Sequence, residues 1–270
     1  MNIKDAVCAG DAAALVSAGP MERELLSGGE TPAALPVASS RAEAIENAQR
    51  IKVLWLSCAG FTLSFAAWLM FGVLGIPIQQ EFQITDVSLA WLVAVAILNG
   101  SIWRLPFGML ADRWGGKVTF VSLLILSAAS SFLVAASHSY EHLFLSAFLV
   151  GIGGNSFSVG SAWNAAWFPP KQQGFAMGLF GAGNVGASVT KLIGPALIVL
   201  IPAAGLMGGW IPGGWRFVPF LYGCLLLLMA GAVAWMAPTP DKKPGAGRPL
   251  GSMLRPLKEV RVWRFSLYYT

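Results

Sequence analysis

Charge is what this sequence has least of. Lys and Arg number 18 and Asp and Glu 13 in 270 residues, so 11% of the side chains are charged, against roughly 25% in ordinary soluble chains. So few charges cannot clothe the surface of a soluble fold of this size. With 56% hydrophobic residues and a mean hydropathy of +0.64, disorder of the whole chain is excluded as well. Cysteine is scarce: Cys8, Cys58 and Cys224 have no metal-ligand spacing, which excludes a disulfide scaffold and a structural zinc site. Cys58 and Cys224 lie inside apolar runs and read as packing residues. No activated nucleophile, metal cluster or nucleotide-binding loop is legible. Neither an enzyme nor a cofactor-binding domain is expected, and no catalytic residue, metal or cofactor is assigned.

What is there in quantity is apolar sequence. Six runs, Val53–Ile78, Leu89–Leu110, Val118–Ala136, Leu143–Phe168, Gly174–Ile201 and Phe217–Met236, each approach or exceed the ~20 residues that cross a ~30 Å hydrocarbon layer as a helix. A seventh begins at Val262 and is cut off at Thr270. The expected class is an all-α, polytopic protein of the cell membrane, embedded in the lipid bilayer. Residues 1–50 form an Ala-, Ser-, Gly- and Pro-rich tail with four basic and seven acidic residues, expected to be disordered, with no cleavable signal peptide. Residues 51–237 are the transmembrane domain, 238–261 a linker, and 262–270 the start of a truncated seventh helix.

The loops sort by charge. Those after the second, fourth and sixth runs carry Arg113 and Lys117, then Lys171, then seven basic residues from Lys242 to Arg264. Those after the first and third carry no Lys or Arg, and the one after the fifth carries Arg216 alone. The positive-inside rule places the N-terminus, tail and linker in the cytoplasm. The sequence pI near 9.3 reflects these loops, and no nucleic-acid partner is expected. Trp91, Trp114, Trp167, Trp210, Trp215, Trp235 and Trp263 fall near the ends of runs, where interfacial aromatics gather.

No Asp or Glu sits in the middle of a run, yet two cations do: Arg104 in the second and Lys191 in the fifth. A charge at the bilayer centre costs about 2.5–3.5 kcal/mol on insertion scales, and a guanidinium cannot escape by deprotonating. Arg104 lies seven residues, about 11 Å, from the end of its helix near Ala111, too deep for an end anchor. With no carboxylate in these runs, its natural partner is an anion from outside the chain. Gly100, Arg104 and Gly108 fall at i, i+4 and i+8, which places the arginine on a thin helix stripe. Asn184, Ser188 and Lys191 form a polar stripe on the fifth run, with Asn184 at the depth of Arg104. Lys191 lies nearer the outer end, where a long side chain snorkels outward, and reads as an orienting or packing residue. An arginine and an amide at one level suit a small anion.

The segment after the second run, Gly108-Met-Leu-Ala-Asp112-Arg113-Trp-Gly-Gly116-Lys117, resembles the signature loop of major facilitator superfamily transporters. Asp112, Arg113 and Lys117 are expected to form a breakable charge network that steadies one conformation, with Gly108 and Gly116 in the same switch. Within that superfamily the chain is similar to the nitrate/nitrite porter family. The likeness rests on Phe61-Thr-Leu-Ser-Phe-Ala-Ala-Trp68 with Gly75-Ile-Pro-Ile78, on Gly100-Ser-Ile-Trp-Arg104-Leu-Pro-Phe-Gly108, and on Gly181-Ala-Gly-Asn184-Val-Gly186. It implies the N-terminal half of a fold of two six-helix halves, with substrate held between them. It further implies nitrate or nitrite as substrate and a requirement for the missing C-terminal half. The substrate arginine would be Arg104 and the signature asparagine Asn184, with Gly181 and Gly183 beside it. A binding tyrosine would fall on Tyr268 or Tyr269, Tyr269 being preferred, and no role carries over to Lys191. The implied mechanism is alternating access, in which an anion relieves repulsion between two facing arginines and lets the halves close. Transport of another small anion or solute, or an inactive truncated half, are the alternatives.

Overall fold

The computed structural model describes residues 36–202, 205, 211–249, 251, 254 and 258–269. Helices dominate, and no β-strand forms among the described residues. Long apolar segments in lipid have this outcome because a helix satisfies its own backbone groups where no water is available. The chain divides into two units, Met1–Asn47 and Ala48–Thr270. The first helix, α1, runs Pro36–Trp68, so residues 36–50 are helical where a disordered tail was expected. The segment Arg41–Arg50 is rich in Ala, Glu, Gln and Arg, and its helix propensity is strong despite its polarity. The expected disorder of residues 1–35 lies outside the described residues.

In the second unit, α1 gives way to α2 (Phe71–Phe82), and together they make the first span. The second span is α3 (Asp86–Ile102) and α4 (Arg104–Trp114). α5 (Gly116–Ala135) is the third. α6 (Tyr140–Val150), a 3₁₀ turn at Gly151–Asn155 and α7 (Ser156–Trp167) make the fourth. The fifth is α8 (Pro170–Gly181), a 3₁₀ turn at Ala182–Asn184 and α9 (Val185–Leu200). The sixth is α10 (Phe217–Met236), and α11 (Val260–Tyr269) follows. Five of the six spans are long and apolar enough to cross a membrane as they stand, and the second qualifies if its two helices count together across a 41° bend.

That bend changes one expectation. Gly100, Arg104 and Gly108 do not share one continuous stripe, because the helix stops at Ile102 and restarts at Arg104. Pro106 supplies the reason: it has no N–H to give the Ile102 carbonyl, and its ring collides with that carbonyl.

The third and sixth spans pack against each other most extensively. The second lies on the fourth, and here glycine is required. A Cβ on Gly100 would stand 2.8 Å from the Gly151 carbonyl oxygen and 2.9 Å from the Trp68 ring, so only two bare backbones can meet there. Asn99 donates its side-chain amide to the Phe148 carbonyl beside them. Two of the tryptophans read as interfacial are instead buried: Trp167 is 3% exposed and Trp215 5%. Trp91, Trp114, Trp235 and Trp263 are exposed, while Trp210 lies outside the described residues. Gly100→Ala is expected to destabilise the detergent-solubilised protein by about 1–3 kcal/mol through overpacking. Gly231→Ala, where a Cβ meets nothing within 4 Å, should be neutral or stabilising by up to about 1 kcal/mol. Thermal unfolding of the two variants side by side checks the difference.

Candidate functional site

Four spans lose α-helical continuity at nearly the same place, and a cavity of about 300 Å³ lies there. The first span contributes Phe61, Phe65, Trp68 and Leu69, the last two at the break between α1 and α2. The second contributes Ile97 and Arg104, the first residue of α4. Gly154 comes from the 3₁₀ turn of the fourth span, with Phe157 just beyond it. Asn184 ends the 3₁₀ turn of the fifth span and stands immediately before α9. Arg104 and Asn184, seen as one pair from the sequence, therefore line the same space. Helix rise alone puts them at one depth; the breaks beside them follow from Pro106 and from the glycines at 151–154 and 181–183.

The chemistry of this cavity is one-sided. Arg104 has no hydrogen bond or ion pair with any described residue, and no carboxylate lines the wall. Trp68 spends its indole N–H on the Ala96 carbonyl at 3.0 Å and offers the cavity only ring surface. Phe61 stacks against Phe65, Phe157 and Phe180 with centroids 5.0–5.5 Å apart. The walls are largely aromatic, while Arg104 and Asn184 themselves are exposed in this half. The arginine is the first residue of α4, just past the 41° bend of the second span, and the asparagine is the last residue of the 3₁₀ turn that leads into α9. A guanidinium and an amide in such walls have the chemistry that suits a small anion, and none of the described lining residues is a nucleophile or a general base.

The loop after the second span is clamped rather than loose, and Asp241 is its hub. The Asp241 carboxylate accepts from the indole N–H of Trp163 at 3.0 Å and of Trp167 at 2.9 Å. It also accepts from the backbone N–H of Lys117 at 2.7 Å and of Lys242 at 2.9 Å. Lys117 extends its ammonium to the Ala237 carbonyl and the Thr239 hydroxyl, and Gly245 N–H reaches the Asp112 carbonyl. Gly116 sits directly under the Trp163 ring, where any Cβ would overlap it.

A comparison of sequence families adds to this geometry. Residues 56–269 match the family model described as Major Facilitator Superfamily. The chain belongs to the major facilitator superfamily. Among curated members, it is 64% identical over 225 residues to a probable nitrate/nitrite antiporter, NarK1, of Thermus thermophilus, a match covering 83% of this chain and 51% of that one. It is 30% identical over 206 residues to the probable nitrate transporter NarT of Staphylococcus carnosus, covering 76% and 50%. The chain thus spans about half the length of these relatives. They are named for moving an anion, in line with the expectation that no enzyme is encoded. In fold it is similar to a bacterial homolog of the human lysosomal transporter Spinster in an inward-facing, occupied conformation. That superposition has a TM-score of 0.62 at 22% identity and covers 74% of this chain and 46% of that one. The described spans are the N-terminal half of the superfamily fold.

Against that fold several sequence expectations shift. The signature loop does not form the charge network expected of it: Arg113 is exposed, and neither Arg113 nor Lys117 pairs with the Asp112 carboxylate. Lys117 is drawn instead to the Ala237 carbonyl at the end of the sixth span, whose C-terminal groups favour a cation, and to the Thr239 hydroxyl beyond it. Gly108 meets nothing within 4 Å of a built Cβ. Neither Gly181 nor Gly183 lines the cavity. Gly181 faces open space, and Gly183 closes the fifth span onto Phe61 and Thr62, so the signature brings only Asn184 to the site. Tyr269 ends α11, and its side chain lies outside the described residues. The Asn184–Ser188–Lys191 stripe starts from a 3₁₀ turn, and Lys191 lines a separate, smaller cavity.

Asp241 is the residue the sequence reading passed over, lost among the charges of the linker. Its signal was a lone acid directly after the sixth apolar run, flanked by Pro240 and two lysines. Asp241→Ala should cost about 2–5 kcal/mol, because it strands buried indole donors that had a charged acceptor. Arg113→Ala, at an exposed position, should change stability by less than about 0.5 kcal/mol. Differential scanning fluorimetry of both variants tests the hub.

Proposed function

We propose that this chain is the N-terminal half of a secondary transporter that moves nitrate or nitrite across the cell membrane. Arg104 is its half of the anion site. One observation carries this reading: a guanidinium and an asparagine amide meet in an aromatic cavity whose described walls hold no carboxylate. The names of the similar proteins, a nitrate/nitrite antiporter and a nitrate transporter, supply the substrate class.

Nitrate and nitrite are planar, monovalent and weakly hydrated, and a planar fork of donors matches them better than a point charge does. Arg104 supplies charge and paired N–H donors, and Asn184 supplies a further amide donor. Both are exposed in this half, which suits a site completed by a second six-helix half. The empty site is electropositive and resists closure. An anion neutralises it and lets the halves rock about the breaks in the four lining spans, which gives alternating access. The basic loops place the N-terminus and the Asp241 hub on the cytoplasmic side. There the hub ties the start of the third span to the ends of the fourth and sixth, so the half moves as one body.

Arg104→Lys in the chain completed by its second half tests the site, since lysine keeps the charge and loses the fork. Nitrate affinity should fall about ten- to a hundredfold, the equivalent of one or two charge-assisted hydrogen bonds. Uptake of labelled nitrate into proteoliposomes measures it, and a wild-type KM would refute the role given to Arg104. Nitrite should compete with nitrate in the same assay and bulky carboxylates should not.

A further inference from the structure

Lys191 is the other cation inside a span, and the sequence likeness assigns it nothing. It lies seven residues beyond Asn184, about 10 Å farther along the fifth span, in α9. It lines a second cavity of about 190 Å³ whose other walls, Phe71, Gly72, Val93 and Ala96 among them, are wholly apolar. No described residue forms a hydrogen bond or ion pair with it. The two cavities share a wall: Trp68, Leu69 and Ile97 line both. That partition is held in place by the Trp68 N–H bond to the Ala96 carbonyl and by Gly100 and Gly154, which lie close against the same ring.

We propose that Lys191 forms a second anion station, taking the same class of small monovalent anion as the Arg104 cavity and separated from it by the Trp68–Leu69–Ile97 wall. Lys191, like Arg104, is exposed in this half, and an ammonium over apolar walls that a second half would cover gains by meeting an anion. It offers a point charge without a planar fork or a neighbouring amide, so it holds the anion more weakly and releases it faster. Two stations of unequal strength are what passage requires, since an ion must be attracted in and yet be able to leave. Leu69 stands at the break between α1 and α2, so a movement of that break opens the wall. The inference rests on the anion reading and orientation proposed above, which put Lys191 on the external side of the Arg104 cavity.

The test is sided transport of nitrate in proteoliposomes by the chain completed with its second half. Lys191→Gln should raise KM about fivefold for nitrate presented from the external face, the worth of one partly screened charge. KM from the cytoplasmic face should stay unchanged, as should thermal stabilisation by nitrate, which reports the Arg104 cavity. Lys191→Arg should restore the external KM to within about twofold, because either cation draws an anion. A wild-type external KM in Lys191→Gln, an equal rise from both faces, or no rescue by Arg would each overturn the station and make Lys191 structural or irrelevant. If instead Arg104→Lys binds nitrate like wild type, the central site fails whatever Lys191 does, so the two failures are distinguishable.

Discussion

A positive charge that cannot be discarded, held within a membrane span, is the constraint around which the rest of this structure is arranged. Among the described residues Arg104 has no carboxylate beside it, and its cavity walls are aromatic or aliphatic apart from Asn184. Left alone, such a charge would be expelled from the bilayer. Four spans instead interrupt their α-helices next to it around a cavity, where in the role proposed for it the charge meets a mobile anion. In this proposed role the cost of placing the charge in the membrane becomes the selectivity of the site.

Broken helices follow from that constraint. A continuous helix buries its polar backbone in its own hydrogen bonds and presents side chains alone. Interruptions at Leu69, Trp103, Gly151–Asn155 and Ala182–Asn184 change the helical pitch beside the cavity, and at Trp103 the span bends by 41°. Interrupted backbone is tolerable at that depth only where it lines a cavity. Away from the cavity the same chain is conservative: α5 and α10 run unbroken for 20 residues each and pack along one another. The ion pair of Arg216 with Glu81 at 2.6 Å, joined by the Trp215 indole on the same carboxylate at 2.7 Å, ties the sixth span to the first at one end. Asp241 ties the sixth to the third and fourth through donors on both of them. Rigidity at the ends and interruption at the middle together suit a half that moves as a body around a central site.

Much of this was legible in composition and pattern. The six spans and the pairing of Arg104 with Asn184 came from hydropathy, periodicity and helix rise. Pro106 announced a break, although a reading of stripes at i, i+4 and i+8 passes over it. What patterns could not reveal was the partnership of charges distant in sequence. Asp112, Arg113 and Lys117 look like a network because they are close in the chain, yet Lys117 turns to the end of the sixth span and Asp241 meets two indoles from the fourth. Trp167 and Trp215 look interfacial by position but are buried donors. Gly183 looks like part of a binding signature but serves the closeness of the first and fifth spans.

The amino-acid sequence by itself determined that this chain is a membrane-embedded helical bundle and which two cations lie within its spans. Hydrophobicity, charge and helical rise are local properties, and they add up along a chain without reference to its neighbours. Only the tertiary structure decided which cavity each cation lines, that Trp68 stands between them, and that Asp241 rather than Asp112 holds the loop. Those are matters of distance between spans, set by which backbones are bare enough to touch. A glycine at 100 meeting a glycine at 151 cannot be read from either one alone.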